Sequence, residues 1–392
     1  AGRLRIGYVW ARPLPSRETD TQQVMQTVHG LAAAGAEVEL MVPSTAHQRR
    51  VGLAAYEREL REFYGLGAAP FAIVARPGVP QSRLEVERAV HPLLSIGGLR
   101  AGRYDVIYSR SRSVTALCAL RGQPVVLETY RMLGDEQPRL MRGLGSAARG
   151  GSLLGIITHS EVARRSIAGA GFPEAHIATV HNGFDPAQME PRLSREDARS
   201  ALGLPGGQPL CCYTGHVRAR KGMGAVLDLA ERTPEVRYVL LGGNPPDVEA
   251  LRGQCTARGL GNVHCPGWKP AAELPPWLYA ADVLLIPPAA APLREHGRTV
   301  LPMKLFTYLA AGRPILAPDL PDLRELLSDG DNALLVPPDA PDAAAAAIGR
   351  ILGDPALAAQ LGERALERSA GLTWNARAAR ILAQIAQWRA TP

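Results

Sequence analysis

Lysine is almost missing from this chain. Across 392 residues only Lys221, Lys269 and Lys304 occur, so nearly all of the 44 basic residues are arginine. Where arginine is the default, a lysine inside a turn is informative, because a compact ammonium differs from a planar guanidinium. Cysteine is scarce too. Cys118, Cys211, Cys212, Cys255 and Cys265 are odd in number and lack metal-ligand spacing. They read as core residues, no metal site is expected, and the cytoplasm is the expected compartment. No apolar run approaches the ~20 residues of a membrane helix, which excludes a transmembrane segment and leaves peripheral membrane contact open. The opening Ala1-Gly2-Arg3-Leu4-Arg5-Ile6-Gly7-Tyr8 runs straight into a strand pattern without signal-peptide character. Long basic runs are also lacking. A net charge of +7 would suit nucleic acid, but the arginines are spread along the chain without aromatic interleaving, so no nucleic-acid partner is expected.

What the chain does have is alternation. Short β-branched or apolar runs alternate with longer Ala/Leu-rich amphipathic segments, the pattern of α/β folds with parallel sheets. Strands are expected at Leu4–Trp10, Glu37–Val42, Val106–Ser109, Val125–Glu128, Gly155–Thr158 and Ile177–Val180. A second series covers Leu210–Thr214, Tyr238–Leu241, Val263–Cys265, Val283–Ile286, Ile315–Ala317 and Leu334–Val336. Helices are expected between them, among others at Leu53–Tyr64, Gly222–Arg232, Pro246–Arg258, Ala272–Ala280, Pro302–Ala311 and Leu320–Ser328. This length allows two domains with separate cores. The turn-rich His181-Asn182-Gly183-Phe184-Asp185-Pro186 marks the boundary, giving domains at 1–185 and 186–374 and a terminal helix in 375–392.

Two segments carry chemistry. Tyr213-Thr214-Gly215-His216-Val217-Arg218-Ala219-Arg220-Lys221-Gly222 follows an apolar strand and precedes a helix. Backbone N–H groups and an ammonium converge in such a turn, which suits a phosphate. Pro302-Met303-Lys304-Leu305-Phe306-Thr307-Tyr308-Leu309-Ala310-Ala311-Gly312-Arg313-Pro314 opens a helix near proline and closes it near glycine. The positive end of that helix could serve the same anion. Lys304 reads equally well as a ligand or as an ordinary helix-surface lysine.

These segments resemble the nucleotide-sugar half of retaining GT-B glycosyltransferases of family 4. Val180-His181-Asn182-Gly183-Phe184-Asp185, Leu241-Gly242-Gly243, Ala280-Ala281-Asp282-Val283-Leu284-Leu285-Ile286-Pro287, Asp329-Gly330-Asp331-Asn332-Ala333-Leu334-Leu335-Val336-Pro337 and Thr373-Trp374 extend the likeness in order and spacing. The resemblance implies two Rossmann-like parallel-sheet domains facing a central cleft, with acceptor bound by the first and donor by the second. It also implies a terminal helix that crosses back to the first domain. The implied activity is hexosyl transfer from a nucleotide-diphosphate sugar to a hydroxyl, with retention and without a metal. No cofactor is implied beyond that donor substrate.

By the same resemblance Gly215, His216 and Lys221 contact the donor diphosphate. Gly243, Pro266, Gly267 and Trp268 border the nucleotide, and Thr299, Val300 and Leu301 offer backbone N–H groups to phosphate and sugar. The sequence departs from the family at Thr307, where relatives hold the ribose with a glutamate. It departs again at Tyr130, where relatives often place a histidine near the donor sugar. A tyrosine there can still hydrogen-bond a sugar hydroxyl, or it is an ordinary loop aromatic. These departures leave a second reading open, a catalytically weak or inactive GT-B protein acting as a binding subunit.

Ligands of open parallel sheets bind beyond the carboxyl ends of the strands. In the first half those ends are followed by Arg12 and Arg17, by Arg110 and Arg112, and by Arg131, with His159 and Ser160 after the next strand. Several guanidinium groups there suit an anionic acceptor. An arginine-rich chain also scatters arginine on any loop, so the pattern alone leaves both readings standing.

Overall fold

A computed structural model describes residues 2–77, 87–97, 99, 102–290 and 301–390. The chain divides into two compact units. One contains the residues up to Asn182 together with those from Trp374 onward, and the other is Gly183–Thr373. The division falls inside the turn that the sequence marks, between Asn182 and Gly183, rather than after Asp185 as expected. The reason is local: the Phe184 N–H donates to the Leu372 carbonyl at 3.1 Å, and Phe184 pairs with Thr373, which ties this turn to the second unit.

The first unit is built on a seven-stranded parallel sheet in the order β3-β2-β1-β4-β5-β6-β7. Its strands are β1 Arg5–Val9, β2 Glu37–Pro43, β3 Ala72–Arg76, β4 Val106–Ser109, β5 Val125–Thr129, β6 Leu153–Thr158 and β7 Ile177–Thr179. The central strands are buried on both faces, which is why they read as continuous Val/Ile/Leu runs. The edge strand β3 escapes the sequence reading, because Ala72–Arg76 is only partly buried and carries a weak apolar signal.

The second unit holds a six-stranded parallel sheet in the order β10-β9-β8-β11-β12-β13. Here β8 is Leu210–Thr214, β9 Arg237–Leu241, β10 Val263–Gly267, β11 Val283–Leu285, β12 Ile315–Pro318 and β13 Leu334–Val336. Two expected helices differ. Leu320–Ser328 forms only a 3-10 turn at Leu323–Glu325, and 272–280 is a 3-10 turn at Ala271–Glu273 followed by a helix at Leu274–Ala280. The helix expected from Pro302 begins at Lys304.

In both sheets the order of strand addition reverses in mid-sheet, at β1/β4 and at β8/β11. Such switch points open a crevice above the carboxyl ends of the strands, where doubly wound folds bind ligands. The loops after β1 and β4 carry Arg12, Arg17 and Arg110, Arg112 begins the helix that follows β4, and the segment after β8 carries Gly215 to Lys221.

The terminal helix Trp374–Ala390 packs on the helix Thr19–Ala33 and on β6 of the first unit. Two glycines make room for it. A Cβ at Gly30 would fall 3.0 Å from the Trp374 carbonyl oxygen, and one at Gly155 would fall 2.5 Å from the Trp388 ring. The Trp388 indole N–H is satisfied by the Ala175 carbonyl at 2.8 Å.

Candidate active site

In the second unit three strand ends lie against one another through glycine. The Gly215 N–H donates to the Leu241 carbonyl at 2.8 Å, and the Gly242 N–H to the Gly267 carbonyl at 2.9 Å. Gly242 has φ 120°, and a Cβ there would sit 2.2 Å from the Gly215 carbonyl oxygen. No side chain fits between these backbones. A Cβ at Gly243 would lie 2.5 Å from Val217, so the pair Gly242-Gly243 is a packing requirement as well as a turn.

The turn after β8 is anchored from two sides. The Tyr213 hydroxyl donates to the His216 carbonyl at 2.7 Å, and the Thr214 N–H donates to the Tyr308 hydroxyl at 2.8 Å. Tyr308 belongs to the helix Lys304–Ala311, so that helix is tied to the end of β8. Gly312, at φ 65°, ends the helix, and Arg192 donates to the carbonyls of Ala310 and Ala311 at 2.8 and 3.1 Å. One turn before Tyr308, the Lys304 ammonium lies 3.6 Å from the centre of the Tyr213 ring. Desolvation and the nearby Lys221 charge push the Lys304 pKa well below its ordinary value. Lys221 is exposed at the end of the 3-10 turn Ala219–Lys221, just before Gly222 and the helix Met223–Arg232. Two lysine side chains thus interact electrostatically beside a glycine turn, with Lys304 Nζ 2.9 Å from where a Gly215 Cβ would stand.

The other expected donor residues differ in their surroundings. His216 is half-buried. Pro266 and Gly267 close β10, and Trp268 follows them with 38% of its surface exposed. Leu301 is buried. Thr299 and Val300 lie outside the described residues. The Thr307 hydroxyl donates back to the Lys304 carbonyl at 2.9 Å within its own helix.

In the first unit a buried carboxylate organises the strand ends. Glu128, near the end of β5, is fully buried. Its Oε1 lies 2.6 Å from Arg377 Nη2, 2.5 Å from His159 Nε2 and 2.5 Å from Gln23 Nε2. Burial alone would raise its pKa, but the Arg377 charge, the His159 hydrogen bond and more distant Arg110 outweigh it, and the carboxyl is held far below its usual range. Burial also lowers His159, to about 4 despite Glu128, so the ring is neutral at pH 7. Nε2 then carries the proton toward Glu128, and Nδ1 presents a lone pair to Asn182 Nδ2 at 3.5 Å.

Part of the expected arginine set gathers around this carboxylate. Arg110 Nη1 donates to the Gln23 side-chain Oε1 at 2.7 Å and to the Asp20 main-chain carbonyl at 3.1 Å, and the Asp20 carboxylate pairs with Arg12 at 2.8 Å. The Arg110 guanidinium lies 5.2 Å from the Tyr130 ring centre, and Tyr130 lies 6.2 Å from the His159 ring. Arg112 opens the next helix, with Nη1 buried and without a hydrogen-bond partner among the described residues. Arg17 is exposed, and Arg131 is drawn to Glu136, with Nε 2.7 Å from Oε2. Arg12, Arg110 and Tyr130 are therefore brought together, while Arg131 is committed to a local ion pair.

The family model described as Glycosyltransferase Family 4 matches residues 21–188, and that described as Glycosyl transferases group 1 matches residues 208–354. The chain belongs to the GT-B glycosyltransferases of family 4. Among its relatives is a D-inositol 3-phosphate glycosyltransferase of Xylanimonas cellulosilytica, 27% identical, the match covering 93% of this chain and 90% of that protein. A phosphatidyl-myo-inositol mannosyltransferase of Mycolicibacterium smegmatis is also 27% identical, over 97% of this chain and 92% of that protein. Solved structures share the GT-B fold at lower identity. Sucrose-phosphate synthase from Thermosynechococcus elongatus aligns with a TM-score of 0.76 at 19% identity, over all of both chains. Anabaena Alr3699/HepE in complex with UDP-glucose aligns with a TM-score of 0.68 at 17% identity, over 97% of this chain and 100% of that one.

Within this glycosyltransferase, sequence reasoning passed over Gln23, Glu128, Tyr308 and Arg377 as site residues. Tyr308 stands four residues after Lys304, a spacing that places both on one helix face, and this was a usable signal. Glu128 and Arg377 carry no comparable signal, since nothing in local sequence marks two charges that meet only after folding.

Proposed function

We propose that this glycosyltransferase moves a sugar from a nucleotide-diphosphate sugar to a hydroxyl of an anionic acceptor, with retained anomeric configuration. The observation that carries the donor half is the paired action of Lys221 and Lys304 beside the Gly215 turn. Each ammonium disfavours the other's charge, and a diphosphate relieves that repulsion. In this reading Lys221, His216 and the turn amides stabilise the diphosphate as it departs. Its charge is met by lysines, so the reaction is proposed to be metal-independent. The departing phosphate oxygen can itself accept the acceptor's proton, and no separate base is required.

The arginines of the first unit support an anionic acceptor, with Arg12, Arg17, Arg110 and Arg112 proposed as its contacts and Tyr130 as a sugar-hydroxyl donor. Relatives named for D-inositol 3-phosphate and phosphatidyl-myo-inositol favour an acceptor bearing phosphate. Calorimetric titration with UDP, GDP, ADP and TDP and their sugars tests the donor half. Micromolar binding of one nucleotide, lost in Lys221→Ala, is expected. Absence of binding to every member of the panel would return the protein to a binding-subunit role.

A further inference from the structure

The Gln23 carboxamide is 1% exposed and lies between groups of opposite charge. Its Nε2 donates to Glu128 Oε1 and, at 3.0 Å, to Thr27 Oγ1, while its Oε1 accepts from Arg110 Nη1. An ionised carboxylate only accepts and a guanidinium only donates, so the amide has a single satisfactory orientation. Thr27 fits the same sense of direction. Its hydroxyl donates to the Gln23 main-chain carbonyl at 2.8 Å and accepts from Arg377 Nη1 at 3.0 Å.

The consequence lies at Arg110. Nη1 has two protons, and the Gln23 and Asp20 oxygens take both. The edge formed by Nε and Nη2 makes no hydrogen bond among the described residues. That edge is the fork that matches two oxygens of a phosphate or carboxylate. We propose that Gln23 is a positioning residue: by occupying Nη1 it holds the Arg110 fork ready for the acceptor's anionic group. This rests on Arg110 contacting an anionic acceptor, as argued above.

Inorganic phosphate is the probe, and phenylglyoxal modification of each arginine, read by peptide mass, is the measurement. In the native protein phosphate is expected to slow modification of Arg110 while leaving Arg131, already paired with Glu136, unchanged. Gln23→Met has similar length and leaves Glu128, His159 and Arg377 in contact. It is expected to raise the half-protecting phosphate concentration at Arg110 about tenfold, the equivalent of losing one charge-assisted contact. Nucleotide binding by the second unit should stay unchanged, which separates positioning from general loss of structure. Should Gln23→Met fail to fold, Gln23→Asn keeps an amide but shortens its reach and carries the same comparison. Equal protection in the variant and the native protein would overturn the positioning role while sparing the acceptor reading. No protection of Arg110 in the native protein would overturn both.

Discussion

Arg377 and Glu128 stand 249 positions apart and meet at 2.6 Å, both buried in the first unit. The terminal helix thereby delivers a guanidinium to the carboxyl end of β5, where the carboxylate also holds His159 and Gln23. A buried ion pair of this kind adds little over an apolar pair, yet losing one partner is costly because the other charge is stranded. Replacing Arg377 with Met should therefore lower unfolding stability by about 3–5 kcal/mol, measured by urea denaturation.

Acid should act on the same cluster. The folded-state pKa of His159 is lowered to about 4, so between that value and its ordinary one the unfolded chain binds the extra proton. Stability is expected to fall as pH drops from about 6.5 toward 4. Glu128 extends the loss. Its folded pKa is depressed, so its contribution is present above the ordinary carboxyl range and disappears as pH falls toward the folded value. His159→Gln should flatten the upper part of this profile, measured as urea midpoint against pH.

Lys304 should register donor binding as proton uptake. Its pKa is pushed down by desolvation and by Lys221, and a bound diphosphate favours the charged form. Titrations of a nucleotide diphosphate in buffers of different ionisation enthalpy are expected to show protons taken up. Lys304→Met should abolish the uptake and weaken binding, whereas identical buffer dependence in that variant would exclude Lys304 as the titrating group.

Thr307 spends its hydroxyl on the Lys304 carbonyl. A carboxylate at this position can accept two charge-assisted hydrogen bonds from a ribose diol. Thr307→Glu is accordingly expected to tighten nucleotide binding by roughly 1–3 kcal/mol, read by calorimetry against the native protein.

Gly242 admits no side chain. A methyl there would sit 2.2 Å from the Gly215 carbonyl oxygen, and the backbone adopts φ 120°. Gly242→Ala must shift the turn after β8, so nucleotide affinity should drop at least tenfold, a change of about 1.4 kcal/mol, together with a lowered melting temperature. The exposed Gly206→Ala, with open space around it, is the control expected to do neither.

Much of this protein was legible in its residues. Continuous apolar strands, glycine turns and proline-to-glycine helix brackets are local signals, and they marked nearly every strand and the Gly215–Lys221 turn. Leu320–Ser328 misled because an apolar, leucine-rich segment beneath other elements can be buried without being helical. Among the arginines, sequence placed Arg12, Arg110 and Arg131 alike after strand ends. Folding then distinguished them, because a guanidinium's role depends on which oxygens surround it: Glu136 claims Arg131, while Gln23 and Asp20 take only one nitrogen of Arg110.

The amino-acid order by itself determined the alternating α/β architecture and the glycine-and-lysine turn, since periodicity and turn chemistry act over a few neighbouring residues. Only the tertiary structure decided that Lys304 sits against Tyr213, that Gln23 has one amide orientation, and that Arg377 neutralises Glu128. Those facts depend on desolvation and on charges brought together from distant positions, and neither exists until the chain is packed.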